Sequence, residues 1–210
     1  MTEVEETQLH RPSLEPKEVT DPRELRALTH PVRLSLLEVL ATEGALTATQ
    51  AGELIGESST TCSFHFRQLA KYGFVEEAGG GAGRNRPWRL VHLGMRFDDG
   101  AQDAEMAIAA DSLAGLLHRR MFDRFEHWRR VRYSYPGEWQ DACGVTESIM
   151  YVTPAELRDL AAELNALLAR YHDRLVDASL RPPGARSVEF VAAAFPAQFG
   201  RVAGDSASKN

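Results

Sequence analysis

Cysteine is nearly missing from this chain: Cys62 and Cys143 are the two among 210 residues. A disulfide framework is thereby excluded as the basis of the fold, and a reducing compartment suits the sequence. Long apolar runs are missing too. None approaches the roughly 20 residues that a membrane-spanning helix requires, so no membrane is expected among the partners. The opening "MTEVEETQLH" has neither the basic nor the apolar region of a secretion signal, and the expected location is the cytoplasm. A positive net charge is also absent, the formal value being −6, and taken alone that argues against nucleic acid.

The distribution of charge reverses that impression. Residues 1–20 hold Glu3, Glu5, Glu6, Glu15 and Glu18 against Arg11 and Lys17. Residues 58–96 hold Arg67, Lys71, Arg84, Arg86, Arg89 and Arg96 against only Glu76 and Glu77. A local cationic patch governs binding more than a global sum does.

Residues 1–20 are polar and acidic and include Pro12 and Pro16, which predicts a disordered arm. From Asp21 helix signals follow closely. "DPRELRALTH" places an N-cap Asp before a Pro at the first helical position, with Glu24 at N3. "HPVRLSLLEVLATEG" restarts at Pro31, spaces Val32, Leu36, Leu37 and Leu40 helically, and stops at Gly44. "LTATQAGELIG" sets Thr47 and Gln50 at capping-box spacing, turns Ala51, Leu54 and Ile55 inward, and ends at Gly56. Glu57 alone separates that end from Ser58, the N-cap of "SSTTCSFHFRQLAKYG". Two short helices joined so tightly form a helix-turn-helix.

On the second of these helices Cys62, Phe66, Leu69 and Ala70 make one stripe. Ser59, Thr60, Ser63, Phe64, Arg67 and Lys71 lie largely off it. The exposed face therefore offers hydroxyls and cations beside a positive helix N-terminus, a combination suited to phosphates and base edges. Gly73 ends the helix. "FVEEAGGGAGRNRPWRLV" then supplies a strand, a flexible turn carrying Arg84 and Arg86, and a partner strand through Trp88, Leu90 and Val91. A helix-turn-helix followed by a basic hairpin is a winged helix. His65 is read as fixing the turn by a structural hydrogen bond, and Cys62 as a small core residue.

At "HPVRLSLLEVL", "TATQAGELIGESSTTCSFHFRQLAKYGFVEE" and "GRNRPWRL" the chain resembles ArsR-type winged helix-turn-helix transcriptional regulators, over about residues 21–92. The resemblance rests on Leu54, Gly56, Ser58, Ser63, His65, Leu69, Gly73 and Val75 at this spacing, with a wing after them. It implies a recognition helix over about 58–72 in the major groove of double-stranded DNA and a wing over about 78–88 on the backbone or minor groove. The DNA-facing set is then Ser58, Ser59, Thr60, Ser63, Phe64, Arg67 and Lys71, with Arg84 and Arg86 from the wing. Metal-sensing members carry a cysteine pair in the helix before the recognition helix, and "TATQAGELIG" has none. Others use Asp and His from a C-terminal helix pair, whereas His172 and Asp173 are adjacent and point about 100° apart. No metal and no cofactor is expected; His118 and His127 likewise lack ligands at matching offsets.

The second half has a different texture. Residues 101–132 form a long helical pattern with Met106, Ala110, Leu113, Leu117, Met121, Phe125 and Trp128 on one face. "YSYPGEW" breaks it, "SIMYV" and "SVEFVAAAF" read as two pairing strands, and Thr153–Pro154–Ala155–Glu156 starts a helix with a capping box. On that helix Leu157, Leu164 and Tyr171 recur every seven positions, as do Ala161, Leu168 and Leu175. Leu157, Leu164, Leu168 and Tyr171, with Leu113 and Leu117, are the predicted dimer contacts. Trp128, Tyr133, Trp139 and Tyr151 are candidates for a ligand pocket that would take a small-molecule effector, with plain core as the bland alternative.

The expected fold is mainly α with small β. A disordered acidic arm (1–20) precedes a winged helix-turn-helix domain (21–96), a helical α+β dimerisation and effector region (97–200), and a disordered tail (201–210). The expected function is a homodimeric DNA-binding transcriptional regulator, a repressor, acting on a palindromic operator. The alternative is a winged-helix protein-interaction module with weak DNA affinity. No P-loop, nucleotide glycine fingerprint or nucleophile elbow is present, and no enzyme is expected.

Overall fold

The computed structural model of the chain describes residues 12–79, 86–97 and 103–196. The first element is β1, Lys17–Val19. Four helices follow: α1 Pro22–Leu28, α2 Pro31–Glu43, α3 Ala48–Ile55 and α4 Ser59–Lys71. Strands β2 Val75–Glu77, β3 Trp88–Leu90 and β4 Met95–Phe97 come next. The C-terminal half contains α5 Ala104–Val131, α6 Gly137–Ala142, α7 Pro154–Ala169 and α8 Asp173–Val176. The architecture is mainly helical with small sheets, and an N-terminal winged helix-turn-helix leads it.

Local chemistry sets the helix starts. Asp21 accepts from the Arg23 N–H at 2.8 Å, satisfying one of the free donors of the first turn. Glu24 does not reach back to complete a capping box; it turns instead to Lys17, 3.3 Å away. His30 caps α2 through Nδ1, which accepts from the Val32 N–H at 3.3 Å. The Thr47–Gln50 box on α3 is complete, as is the Thr153–Glu156 box on α7. Gly44, Gly56 and Gly73 end their helices with positive φ of 81°, 73° and 70°.

The core gathers α1, α2, α3, α4 and the first half of α5. Leu25, Leu28, Leu36, Ala51, Cys62, Phe66, Leu69, Ala110 and Leu113 are wholly buried in it. Burying a side chain of Phe66's size contributes about 1.5–3 kcal/mol relative to exposure. Phe66 stacks on Trp88 with ring centroids 5.4 Å apart, which ties α4 to the wing. Trp88 also exchanges two backbone hydrogen bonds with Leu46, at 2.9 and 2.7 Å, so Leu46 extends the β2–β3 hairpin on its other side. Leu54, expected inside, is 55% exposed; Ala48 and Gly52 take the inner face of α3 instead.

Two expectations change. The arm is not disordered throughout: β1 pairs in parallel with β4, Lys17 opposite Met95 and Val19 opposite Phe97. Ser13 adds a bridge to His92, and the apolar Val19, 2% exposed, anchors the arm to the core. Residues 1–11 and 197–210, with the rest of the predicted arm and the tail, lie outside the described residues. The second change concerns "SIMYV" and "SVEFVAAAF", which form irregular segments and not strands. A strand needs a hydrogen-bonding neighbour, and neither segment meets one among the described residues.

The α5 helix is 28 residues long, yet its buried residues stop at Leu113. Among the described residues nothing after Leu113 is buried. Two arginines brace this helix against α2: Arg120 bonds Glu38 and the Ser35 hydroxyl, and Arg124 reaches Glu38 at 3.0 Å. Among the described residues no helix is long and apolar enough to cross a membrane.

The turn between α3 and α4 depends on a close backbone approach. A Cβ on Gly52 would lie 2.5 Å from the carbonyl oxygen of Glu57, a rigid neighbour that cannot swing aside. Gly52→Ala is expected to cost about 1–3 kcal/mol, the usual penalty for overpacking, in urea denaturation followed by circular dichroism. An unchanged midpoint would mean that the turn relaxes freely.

Candidate nucleic-acid interface

Helix α4 is pinned from one side. Cys62, Phe66 and Leu69 are fully buried and His65 is 7% exposed, so the opposite face must point outward. Ser58 begins it, its Oγ accepting from the Thr61 N–H at 3.0 Å and meeting the Thr61 hydroxyl at 2.8 Å. Ser58, Ser59, Thr60, Phe64, Arg67 and Lys71 are exposed, and Ser63 is half-buried among them. Phe64, 54% exposed, presents an aromatic ring between hydroxyls. The face thus joins short hydroxyls, one ring and two cations beside a capped helix N-terminus, whose partial positive charge favours anions.

The cations are held differently from what the composition suggests. Arg67 folds back on its own helix, Nε donating to the Ser63 carbonyl at 3.0 Å. The Lys71 ammonium sits 5.4 Å from the centroid of the Tyr72 ring. Arg86 pairs with Glu77 at 2.7 Å, Arg89 with Glu76 at 2.7 Å, and Arg96 with Glu18 at 3.1 Å. The patch counted from sequence is therefore partly neutralised, because the hairpin register sets Glu76 directly opposite Arg89. Arg89 is half-buried in its pair, whereas the Arg86 and Arg96 pairs are exposed. Exposed pairs contribute about 0–1 kcal/mol each, and a phosphate could displace those two at little cost. Arg84 lies outside the described residues.

His65 does not fix the turn as expected. Its Nδ1 is buried with no hydrogen-bond partner, and the ring packs against His30 at 4.4 Å and against Phe64 at 5.1 Å. Burial first, then the neighbouring His30 and Arg33, push its proton affinity below the ordinary histidine value, and Glu57 opposes weakly. The orphaned Arg33 Nε is a second buried polar atom without a partner. Sequence spacing had marked His65 but not its contact with His30, which is a helix cap 35 positions earlier. The Cys62 thiol is pushed up by burial, which suppresses the reactive thiolate.

The remaining candidates scatter. Leu113 is fully buried in the subunit's own core and Leu117 packs partly against it, so Leu113 is not available to a partner. Leu157, Leu164 and Leu168 are half-buried and Tyr171 is 57% exposed. Trp128 and Tyr133 line an open cleft of about 390 Å³ together with Phe125, Arg129, Arg132 and Cys143. Trp139 lies elsewhere, beneath the Arg186 guanidinium at 5.8 Å, and Tyr151 is fully exposed. Among the described residues no three His, Cys, Asp or Glu side chains are grouped to hold a metal.

Residues 28–78 match a family model described as a helix-turn-helix domain. With the β2–β3 hairpin beside it, the segment makes this a winged helix-turn-helix protein. Among solved structures, the chain is similar to a MarR family regulator from Neisseria meningitidis, at 19% identity over 67% of this chain and 80% of that one, with a TM-score of 0.32. It is also similar to a transcriptional regulator from Thermotoga maritima, at 12% identity over 69% of this chain and 80% of that one, with a TM-score of 0.28. No curated protein matches the sequence.

The environment of His65 makes stability depend on pH. A folded-state proton affinity below the unfolded one favours the neutral ring, so its contribution is present above about pH 6.5. It is lost as the pH falls through the folded-state value. The drop in melting temperature from pH 7 to pH 5 is expected to be smaller in His65→Gln than in the parent. Equal drops would assign the acid sensitivity to other groups.

Proposed function

We propose that this protein is a DNA-binding transcriptional regulator, a homodimeric repressor that places α4 in the major groove. The observation that carries the reading is the outward face of α4. Ser59, Thr60, Ser63, Phe64, Arg67 and Lys71 share it, and buried Cys62, Phe66 and Leu69 set its direction. The match of residues 28–78 to a helix-turn-helix domain supports it independently. Within that class the Leu54-to-Val75 spacing favours an ArsR-type assignment.

In this reading Ser58, Ser59 and Thr60 sit where phosphates approach the helix N-terminus. Arg67 leaves the Ser63 carbonyl to reach a base edge, and Phe64 packs on sugar or a thymine methyl. Arg84 and Arg86 bring the wing to the backbone. One recognition helix reads only a few base pairs, so two subunits reading half-sites about 34 Å apart would recognise a palindromic operator. A small-molecule effector entering the cleft beside Trp128 and Tyr133 would contend there with the subunit contact proposed below.

The pairing of Arg86 and Arg89 with Glu77 and Glu76 favours a second reading, a winged-helix protein-interaction module. Titrating random duplex against salt separates the two. A DNA binder loses affinity along a steep log–log slope, whereas a protein-interaction module shows little affinity at any salt.

Two variants then divide the roles. Arg67→Ala is expected to weaken operator binding by about 1–3 kcal/mol while sparing random duplex, as for a lost base contact. Equal losses on both would make Arg67 a phosphate contact. Removing Arg84 and Arg86 together should weaken all sequences alike and make the salt slope shallower. A slope that does not change would take the wing off the phosphates.

A further inference from the structure

We propose that α7 is exchanged between two copies of this chain, each α7 lying on the Phe125–Trp128 face of the other subunit's α5. The inference deepens the homodimer reading above, on which it rests, by naming the surfaces that meet.

The first argument is the apolar surface left open. Nothing after Leu113 is buried among the described residues. Leu160, Leu167, Tyr171 and Leu175 of the α7–α8 stretch are 43–57% exposed, and Phe122 on α5 is 61% exposed. Ile149, Met150 and Val152 before α7, and Val188, Phe190 and Val191 after it, are exposed as well. At roughly 100 Å² per half-exposed large side chain, these residues together offer more than the roughly 800 Å² per partner of a standard interface. Large exposed apolar areas on soluble proteins mark interaction sites. Yet α7 packs extensively on no other element of its own subunit.

The second argument is charge, and it selects a second copy as the occupant. Residues 117–132 of the α5 stretch carry six arginines against Asp123 and Glu126. Helix α7 carries Glu156, Asp159 and Glu163 against Arg158. Among the described residues no ion pair joins the two helices within one subunit; the arginines of α5 pair with Glu38, Glu126 and Glu189 instead. One chain thus bears two complementary surfaces that do not meet. If each subunit supplies one of each, two copies close with two-fold symmetry and satisfy both. Arg129 and Arg132 edge the Phe125–Trp128 face, where they line the cleft described above. Asp159 and Glu163 flank the apolar stripe of α7 and would face them.

The connections permit the crossing. Residues 143–153 are irregular, and a segment of that length spans up to roughly 35 Å when extended. The chain after α8 stays with its own α5: Arg124 Nε donates to Glu189 at 2.8 Å, and Arg186 sits over Tyr135 at 5.6 Å. That return segment borders the groove. Gln140, Asp141, Cys143, Gly144 and Val145 of the same chain line one side of it, and the half-buried Phe125 and Trp128 form the wall offered to the partner's α7.

Charge reversal in the full chain tests the exchange. One variant is Arg129→Glu with Arg132→Glu, the other Asp159→Lys with Glu163→Lys, and masses are measured without DNA. The unaltered protein should have the mass of two chains, and each variant alone should lose it. The two variants co-expressed with different tags should be recovered together as a two-chain species, because each acidic surface then meets a basic one. This holds even if either variant fails to fold alone. An unaltered protein of one-chain mass would overturn the proposal. So would variants that stay dimeric alone, or co-expressed variants that do not associate, either of which would take α7 off the partner's α5. A regulator reading that fails leaves these masses unaffected, since it is decided by duplex titration of the unaltered protein.

Discussion

The approach of α3 to the start of α4 is the constraint on which the N-terminal half depends. Gly52 comes so close to the Glu57 carbonyl that only a residue without a Cβ fits. Gly56, at φ 73°, then reverses the chain in one residue. Once that turn is closed, Cys62, Phe66 and Leu69 have one place to go, the space between α1, α2 and the wing. Their burial fixes the rotation of α4 about its axis. The hydroxyls and cations on its far side are presented to solvent as a consequence, not through interactions of their own.

The same helix carries a weakness. His65 is buried with its Nδ1 unpaired, beside His30 and near Arg33. An unpaired buried polar atom is costly, and here it sits within the support of the proposed reading surface. Protonation of His65 would add a charge next to two groups that already repel one, so acid strong enough to protonate it would loosen the seat of α4.

Much of this was legible from the amino-acid order because it is local. Capping residues at Asp21, Thr47, Ser58 and Thr153 and glycines at 44, 56 and 73 operate within four or five residues. Helical spacing of apolar residues then selects the inner face of α4. The signals failed where the partner was distant. Leu54 has the spacing of a core residue, but α3 meets its neighbours through Ala48, Ala51 and Gly52, small residues that let the backbones close up. Polarity alone predicts a disordered arm, although backbone hydrogen bonds to residues 91–97 order its last part.

Composition likewise predicted a cationic surface, and pairing across the hairpin removed much of it, since charge count carries no information about register. The two missing strands show the same limit. "SIMYV" and "SVEFVAAAF" have the apolar, β-branched content of strands, but a strand exists only beside another backbone. Sequence order settled the helices, their ends and the side of α4 that turns inward, because each rests on contacts a few positions apart. Tertiary structure decided which arginines meet a carboxylate, where the arm goes and how far α5 is buried, because those depend on groups brought together from distant parts of the chain.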